Sequence, residues 1–154
     1  MIIRFTGKIS DHFSREEYYT GYKAGDGIIR IYDRSIVFAG LMELFRSAVG
    51  KPIIVSSWFR TPAMNKRVNG FSASNHLKGC AMDFNIKGNK SFDKAAFIKY
   101  ATIFKEICED AGLYGEAGLY NGWFHFGIQT YFHGFYHWDS RSGKQIDMPF
   151  NELY

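Results

Sequence analysis

His76, Asp83 and His125 have the residue types and the setting for metal chemistry. In Cys80-Ala81-Met82-Asp83-Phe84-Asn85-Ile86 the even positions are mainly apolar and the odd ones include Asp83 and Asn85. A strand sends alternate side chains to opposite faces, so Asp83 and Asn85 point away from the core. Trp123-Phe124-His125-Phe126-Gly127-Ile128 alternates in the same way. Phe124, Phe126 and Ile128 share one face, and Trp123, His125 and Gly127 share the other. If the two strands are neighbours, Asp83 and His125 converge. His76 lies upstream of Asp83, across Leu77-Lys78-Gly79, and Gly79 lets the chain reverse so that His76 folds over the start of the strand. Two neutral imidazoles and one carboxylate suit a catalytic zinc ion and leave a fourth tetrahedral position open. The set with its ion is net positive, which favours negative charge developing on oxygen. Satisfied structural histidines are the competing reading of the same residues, and spacing alone does not separate the two.

The elements that must hold these residues read as one α+β domain over residues 1–154, with a small antiparallel sheet packed against helices. Ser14-Arg15-Glu16-Glu17 is a capping box that opens a short helix through Tyr18 and Tyr19. Ser35 to Val49 reads as a second helix, with Gly50 past its end and Pro52 forbidding continuation. Pro52 to Ser57 is a short buried strand, and a helical turn follows Pro62. A long helix is expected from Phe92 to Ala111, capped by Ser91 and stopped by Gly112. The aromatic and polar tail from Tyr131 carries no clear periodicity.

Composition sets the outer bounds. The 154 residues are 46% hydrophobic and 22% charged, which excludes wholesale disorder. The net charge of +4 suits an anionic partner such as a bacterial cell wall or nucleic acid without choosing between them. The basic residues are spread along the chain and no nucleic-acid motif is present, so no specific nucleic-acid partner is expected. No run reaches the ~18 apolar residues of a membrane span. The N-terminus has no signal-peptide pattern, so synthesis in the cytoplasm is expected. Cys80 faces the core side of its strand and Cys108 lies in the long helix, which makes both buried, inert thiols.

The whole string carries a resemblance. Ser56-Ser57-Trp58-Phe59-Arg60-Thr61-Pro62-Ala63-Met64-Asn65 is followed by Ser74-Asn75-His76-Leu77-Lys78-Gly79-Cys80-Ala81-Met82-Asp83 and then by Trp123-Phe124-His125. With Asp11 to Glu17 at the start, this resembles the zinc D-alanyl-D-alanine carboxypeptidase family of peptidoglycan peptidases. That family includes vancomycin-resistance D,D-dipeptidases and phage endolysins and shares its core with the hedgehog signalling domain. The resemblance covers residues 10–130, leaving 131–154 as an extension, and S-x-H-x-x-G-x-A-x-D matches at every fixed position.

The resemblance implies one Zn²⁺ held by His76, Asp83 and His125. It implies that Arg60 grips a substrate carbonyl or terminal carboxylate, a task that suits a planar, permanently charged fork. It places Ser74 near the metal as a substrate or backbone partner, and Asn65 at a recurring position. The general base is where the chain departs. Members carry an acid three or four residues before the last zinc histidine, or two after it, and here those positions are Gly122, Asn121 and Gly127. Glu116 is the expected replacement, with Asp139 and His137 as the other candidates. His133 and His137 read as packing residues of a C-terminal lid, and Lys66, Arg67 and Lys78 as a basic patch near the cleft.

The function expected is a zinc peptidase that hydrolyses peptidoglycan stem peptides at D-Ala-D-Ala or L-Ala-D-Glu. Such an enzyme would act on the bacterial cell wall in phage lysis or entry. The alternative is a catalytically inactive zinc-binding module of the same fold that binds cell wall or a protein partner.

Overall fold

A computed structural model describes residues 7–129 and 134–148. Four helices, α1 (Arg15–Tyr18), α2 (Asp33–Val49), α3 (Pro62–Arg67) and α4 (Lys94–Asp110), accompany six strands. The strands are β1 (Ile53–Ser57), β2 (Ala81–Ile86), β3 (Gly115–Leu119), β4 (Phe124–Ile128), β5 (Tyr136–Asp139) and β6 (Ile146–Asp147). They form one sheet in the order β1-β2-β4-β3-β5-β6.

The local signals act where their chemistry puts them. The Ser14 hydroxyl accepts from the Glu17 N–H at 3.1 Å and opens α1. Gly50 ends α2 in the left-handed region at φ 73°. Two boundaries differ from expectation. Helix α2 starts at Asp33, because Ser35 acts inside its first turn by accepting from the Tyr32 N–H at 3.3 Å. Helix α4 is capped by Asp93, whose carboxylate accepts from the Ala96 N–H at 2.8 Å, and not by Ser91.

The sheet is mixed rather than wholly antiparallel. β1–β2, β2–β4, β3–β4 and β5–β6 are antiparallel, and β3–β5 is parallel. The tail therefore extends the sheet as β5 and β6 instead of closing over it as a lid. His133 lies outside the described residues.

One face of the sheet is an aromatic core. Met82, Phe84 and Ile86 of β2 and Phe124 and Phe126 of β4 are fully buried on it. Phe45 of α2 meets the Phe126 ring at 5.1 Å, and Phe104 of α4 stacks on Phe126 at 4.6 Å. Each such side chain contributes roughly 1.5–3 kcal/mol by burial. Cys80 and Cys108 are buried in the same core, and burial pushes their thiols up to about 11 and about 12. No helix among the described residues is long and apolar enough to cross a membrane.

Candidate active site

The opposite face of the same strands carries the polar residues. Asp83 of β2 and His125 of β4 are directly paired across the antiparallel ladder, so period-two alternation puts both side chains on this face. His76 arrives from the 3-10 turn Asn75–Lys78 that precedes β2. Gly79 ends that turn at φ 64°, and a Cβ there would meet the Tyr18 hydroxyl at 2.3 Å and the Ser35 hydroxyl at 2.4 Å. Both backbone and space demand glycine at this point.

His76, Asp83 and His125 each present a ligand atom within 4.8 Å of the other two. His76 Nδ1 donates to the Trp58 carbonyl at 2.6 Å, which turns Nε2 toward Asp83 Oδ1 at 3.2 Å. His125 Nδ1 lies 2.8 Å from the same oxygen. Its other nitrogen, Nε2, meets Glu116 Oε1 at 2.8 Å. All four residues are buried. Two nitrogens and one carboxylate oxygen converging on one point fit a zinc ion. Both distal imidazole nitrogens are held by oxygen acceptors, the support that metal-bound histidines require.

The charges lock together. Burial opposes ionisation of Asp83, but His76 and His125 outweigh it and hold the carboxyl well below the usual carboxylate range. Burial likewise opposes charge on His125, but its hydrogen bonds to Asp83 and Glu116 push the imidazole up. Burial dominates at His76 and lowers it. Glu116 is held low, chiefly by His125 against the cost of burial.

Glu116 comes from β3, where its backbone is paired with Gly127 of β4. A Cβ on Gly127 would stand 2.7 Å from Glu116 Oε1 and 2.9 Å from the Cys80 carbonyl. The carboxylate thus occupies space that a side chain at position 127 would fill. An acid is delivered to this level of the sheet from the neighbouring strand. Gln129 Nε2 holds Glu116 Oε2 at 3.3 Å, and the Asn75 side chain also bonds to Glu116. The other two candidate bases lie elsewhere. Asp139 is tied to Arg141 at 2.8 Å outside the cleft, and His137 is buried beside Phe135.

Arg60 follows β1, and its N–H donates to the His76 carbonyl at 2.9 Å, which ties the two segments together. Its guanidinium reaches Asp83 Oδ2 at 2.8 Å, the Ser57 hydroxyl at 3.0 Å and Asn65 Oδ1 at 3.4 Å. Asn65 also donates to the Phe71 carbonyl at 2.9 Å and so ties the loop after α3 to Arg60. Gly70 makes room for it, since a Cβ there would overlap Asn65 Oδ1 at 1.9 Å. Ser74 caps the 3-10 turn by accepting from the His76 N–H and borders the cleft. Lys66, Arg67 and Lys78 do not line it, and Arg67 is bound to Asp26 at 2.7 Å.

The cleft over these residues measures about 840 Å³. Phe71, Ser74, Tyr120, Trp123, Tyr136 and Trp138 line it. Sequence reasoning placed Trp123 on the histidine face and missed the other aromatics. Trp138 reaches the cleft because Gly118 is bare beneath it, where a Cβ would come within 2.5 Å of the indole. The Trp–Gly contact crosses the parallel β3–β5 pair, which no local pattern announces.

A family model described as Peptidase M15 matches residues 11–125. The chain belongs to the peptidase M15 family, whose members are zinc-dependent peptidases. No curated protein gives a significant match.

Proposed function

We propose that the chain is a zinc peptidase that hydrolyses peptide bonds in peptidoglycan stem peptides, working on the bacterial cell wall in phage lysis or entry. The observation that supports it is the His76–Asp83–His125 donor triangle at the floor of a cleft that also holds Glu116. The net positive charge favours approach to an anionic wall polymer.

His76, Asp83 and His125 would hold a zinc ion, which would supply Lewis-acid chemistry for a carbonyl oxygen or a water. Asp83 balances part of that charge and is itself anchored by Arg60. Three of the five guanidinium donors of Arg60 are engaged, and the remaining N–H groups are available to a substrate carbonyl oxygen. Glu116 has two tasks. Oε1 keeps His125 oriented through Nε2. Oε2, the oxygen His125 does not hold, takes a proton from the attacking water and returns it to the leaving nitrogen. The water oxygen bonds to the carbonyl carbon, the C–N bond breaks, and the products are a carboxylate and an amine. Among the described residues lining the cleft, Glu116 is the carboxylate other than Asp83, which makes it the proton acceptor at hand.

Bound-metal analysis with mass spectrometry of muropeptides tests this reading. The expected result is one zinc per chain and a new defined fragment. Glu116→Gln should retain zinc with affinity weakened about 10–100-fold, as for other supporting carboxylates, and lose hydrolysis when saturated with metal. Zinc without any fragment from the wild type would leave a binding module in place of a peptidase.

A further inference from the structure

We propose that the outer face of α2 is a self-association surface, on which a second copy of this chain docks antiparallel about a two-fold axis. The inference does not depend on the peptidase reading.

Helices α2 and α4 are both 17 residues long and pack on the same aromatic core, so each should turn a polar face to water. Helix α4 does so. Its exposed positions are Lys94, Ala95, Lys99, Glu106, Glu109 and Asp110, all but one of them charged. Helix α2 does not. Past its first two residues the exposed positions are Ile36, Val37, Gly40, Leu44, Ser47 and Ala48, and none is charged. At 100° per residue they fall within an arc of about 120°. That arc lies opposite the fully buried Phe38, Met42 and Phe45. Ile36 is 41% exposed, Val37 47% and Leu44 56%. Glu43, at the edge of the stripe, is turned aside to Ser10 and His12.

The stripe complements itself. Gly40 stands in mid-helix, where glycine weakens a helix, and a Cβ there would meet nothing within 4 Å. No contact within its own chain calls for glycine, whereas a second α2 does. With the helices antiparallel and the two-fold at the level of Met42, Leu44 of each copy lies over Gly40 of the other. Ile36 then meets Ala48, and Val37 meets Ser47. Each pairing sets a large side chain against a small one, as interlocking helix ridges require. The ends agree in charge. Asp33 lies within the same arc, and Lys51 follows the Gly50 cap. Among the described residues neither makes an ion pair with its own chain. Antiparallel docking sets each Asp33 beside Lys51 of the other copy, while parallel docking would set Asp33 against Asp33 and Gly40 against Gly40. The stripe faces away from the sheet and the cleft opens on the sheet's other face, so docking leaves both clefts open.

Sedimentation equilibrium of the whole chain from about 5 to 500 μM tests this. A contact between two helices falls below the ~1,200 Å² of a standard interface, so the expected result is a monomer–dimer equilibrium with Kd of about 10–100 μM. Gly40→Leu fills the space meant for Leu44 and should weaken the dimer by about tenfold or more. The same change should leave the dilute monomer folded, with Tm unchanged or slightly raised, because leucine is the better helix former. Asp33→Lys should weaken the dimer by about two- to fivefold, and Lys51→Asp added to it should restore the wild-type Kd. A wild-type chain that stays monomeric to 500 μM would overturn the proposal and leave the face to a different protein. Association that Gly40→Leu leaves unchanged or strengthens would also overturn it, by showing that apolar area alone or another surface drives it. Failure of the charge exchange to restore Kd would overturn the antiparallel arrangement.

Discussion

The two faces of the central β2–β4 pair are built from alternate residues of the same strands, yet they are held together by different physics. On the core face Phe84 and Phe126 are fully buried against Phe45, and Phe124 against Phe92 and Tyr100, and their contribution scales with apolar area removed from water. Many similar contacts share that work, so each residue is replaceable by another of similar size at modest cost. On the cleft face Asp83 alone serves three partners, His76, His125 and Arg60, at 3.2, 2.8 and 2.8 Å. No hydrophobic side chain can stand in for it, because each partner would be left with a buried polar group unsatisfied. One face tolerates exchange and the other is specified atom by atom.

Breaking the cleft face should have the larger effect on chemistry. Asp83→Ala is expected to abolish zinc retention and reduce hydrolysis to background, read by metal analysis and by muropeptide turnover. Retention of stoichiometric zinc in this variant would show that the triangle is structural. Breaking the core face should have the larger effect on stability. Phe126→Ala opens a cavity under β4 and should cost about 3–5 kcal/mol. For a chain of this length that lowers Tm by about 6–20 °C in calorimetry. At temperatures where the variant remains folded, zinc content should match the wild type, since His125 is held from the other side. Loss of zinc in the folded variant would show that the two faces are not separable.

The smallest effect is expected at a charge pair outside both regions. Asp26 is bound by Arg67 at 2.7 and 2.8 Å, and that contact is the main reason its carboxyl is lowered to about 2 from the usual 3.8. Because the folded-state value is depressed, the contribution to stability is complete above about pH 4 and fades as pH falls through about 2. Urea titrations of the wild type and Asp26→Asn should differ by a constant amount from pH 5 upward and converge near pH 2. A difference that persists at pH 2 would show that the pair acts through packing rather than charge.

Much of the fold could be read from local chemistry. Ser14, Gly50 and Gly112 mark helix ends because their side chains, or lack of one, suit the backbone there. Strand alternation assigned Asp83, His125 and Trp123 to one face and the phenylalanines to the other, since side-chain period two is intrinsic to the extended chain. The cap of α4 was misread because Ser91 and Asp93 both have capping chemistry, and only the backbone path decides that Asp93 meets the Ala96 N–H. The S-x-H-x-x-G-x-A-x-D segment was legible as a unit because a tight turn and a strand place its ends by covalent geometry alone.

What the amino-acid sequence determined by itself, then, is whatever depends on neighbours along the chain: helix ends, strand faces, and the Gly79 reversal that brings His76 toward Asp83. Tertiary structure alone decided the contacts made between elements. Glu116 meets His125 because β3 pairs with β4 in the register that sets Glu116 opposite Gly127. Trp138 reaches the cleft because β5 joins β3 in parallel over Gly118. Phe71 is steered by Asn65, which is held in turn by Arg60. In each case the partner is fixed by the register and packing of segments far apart in the chain, and a shift of one residue would send the same side chain to the opposite face.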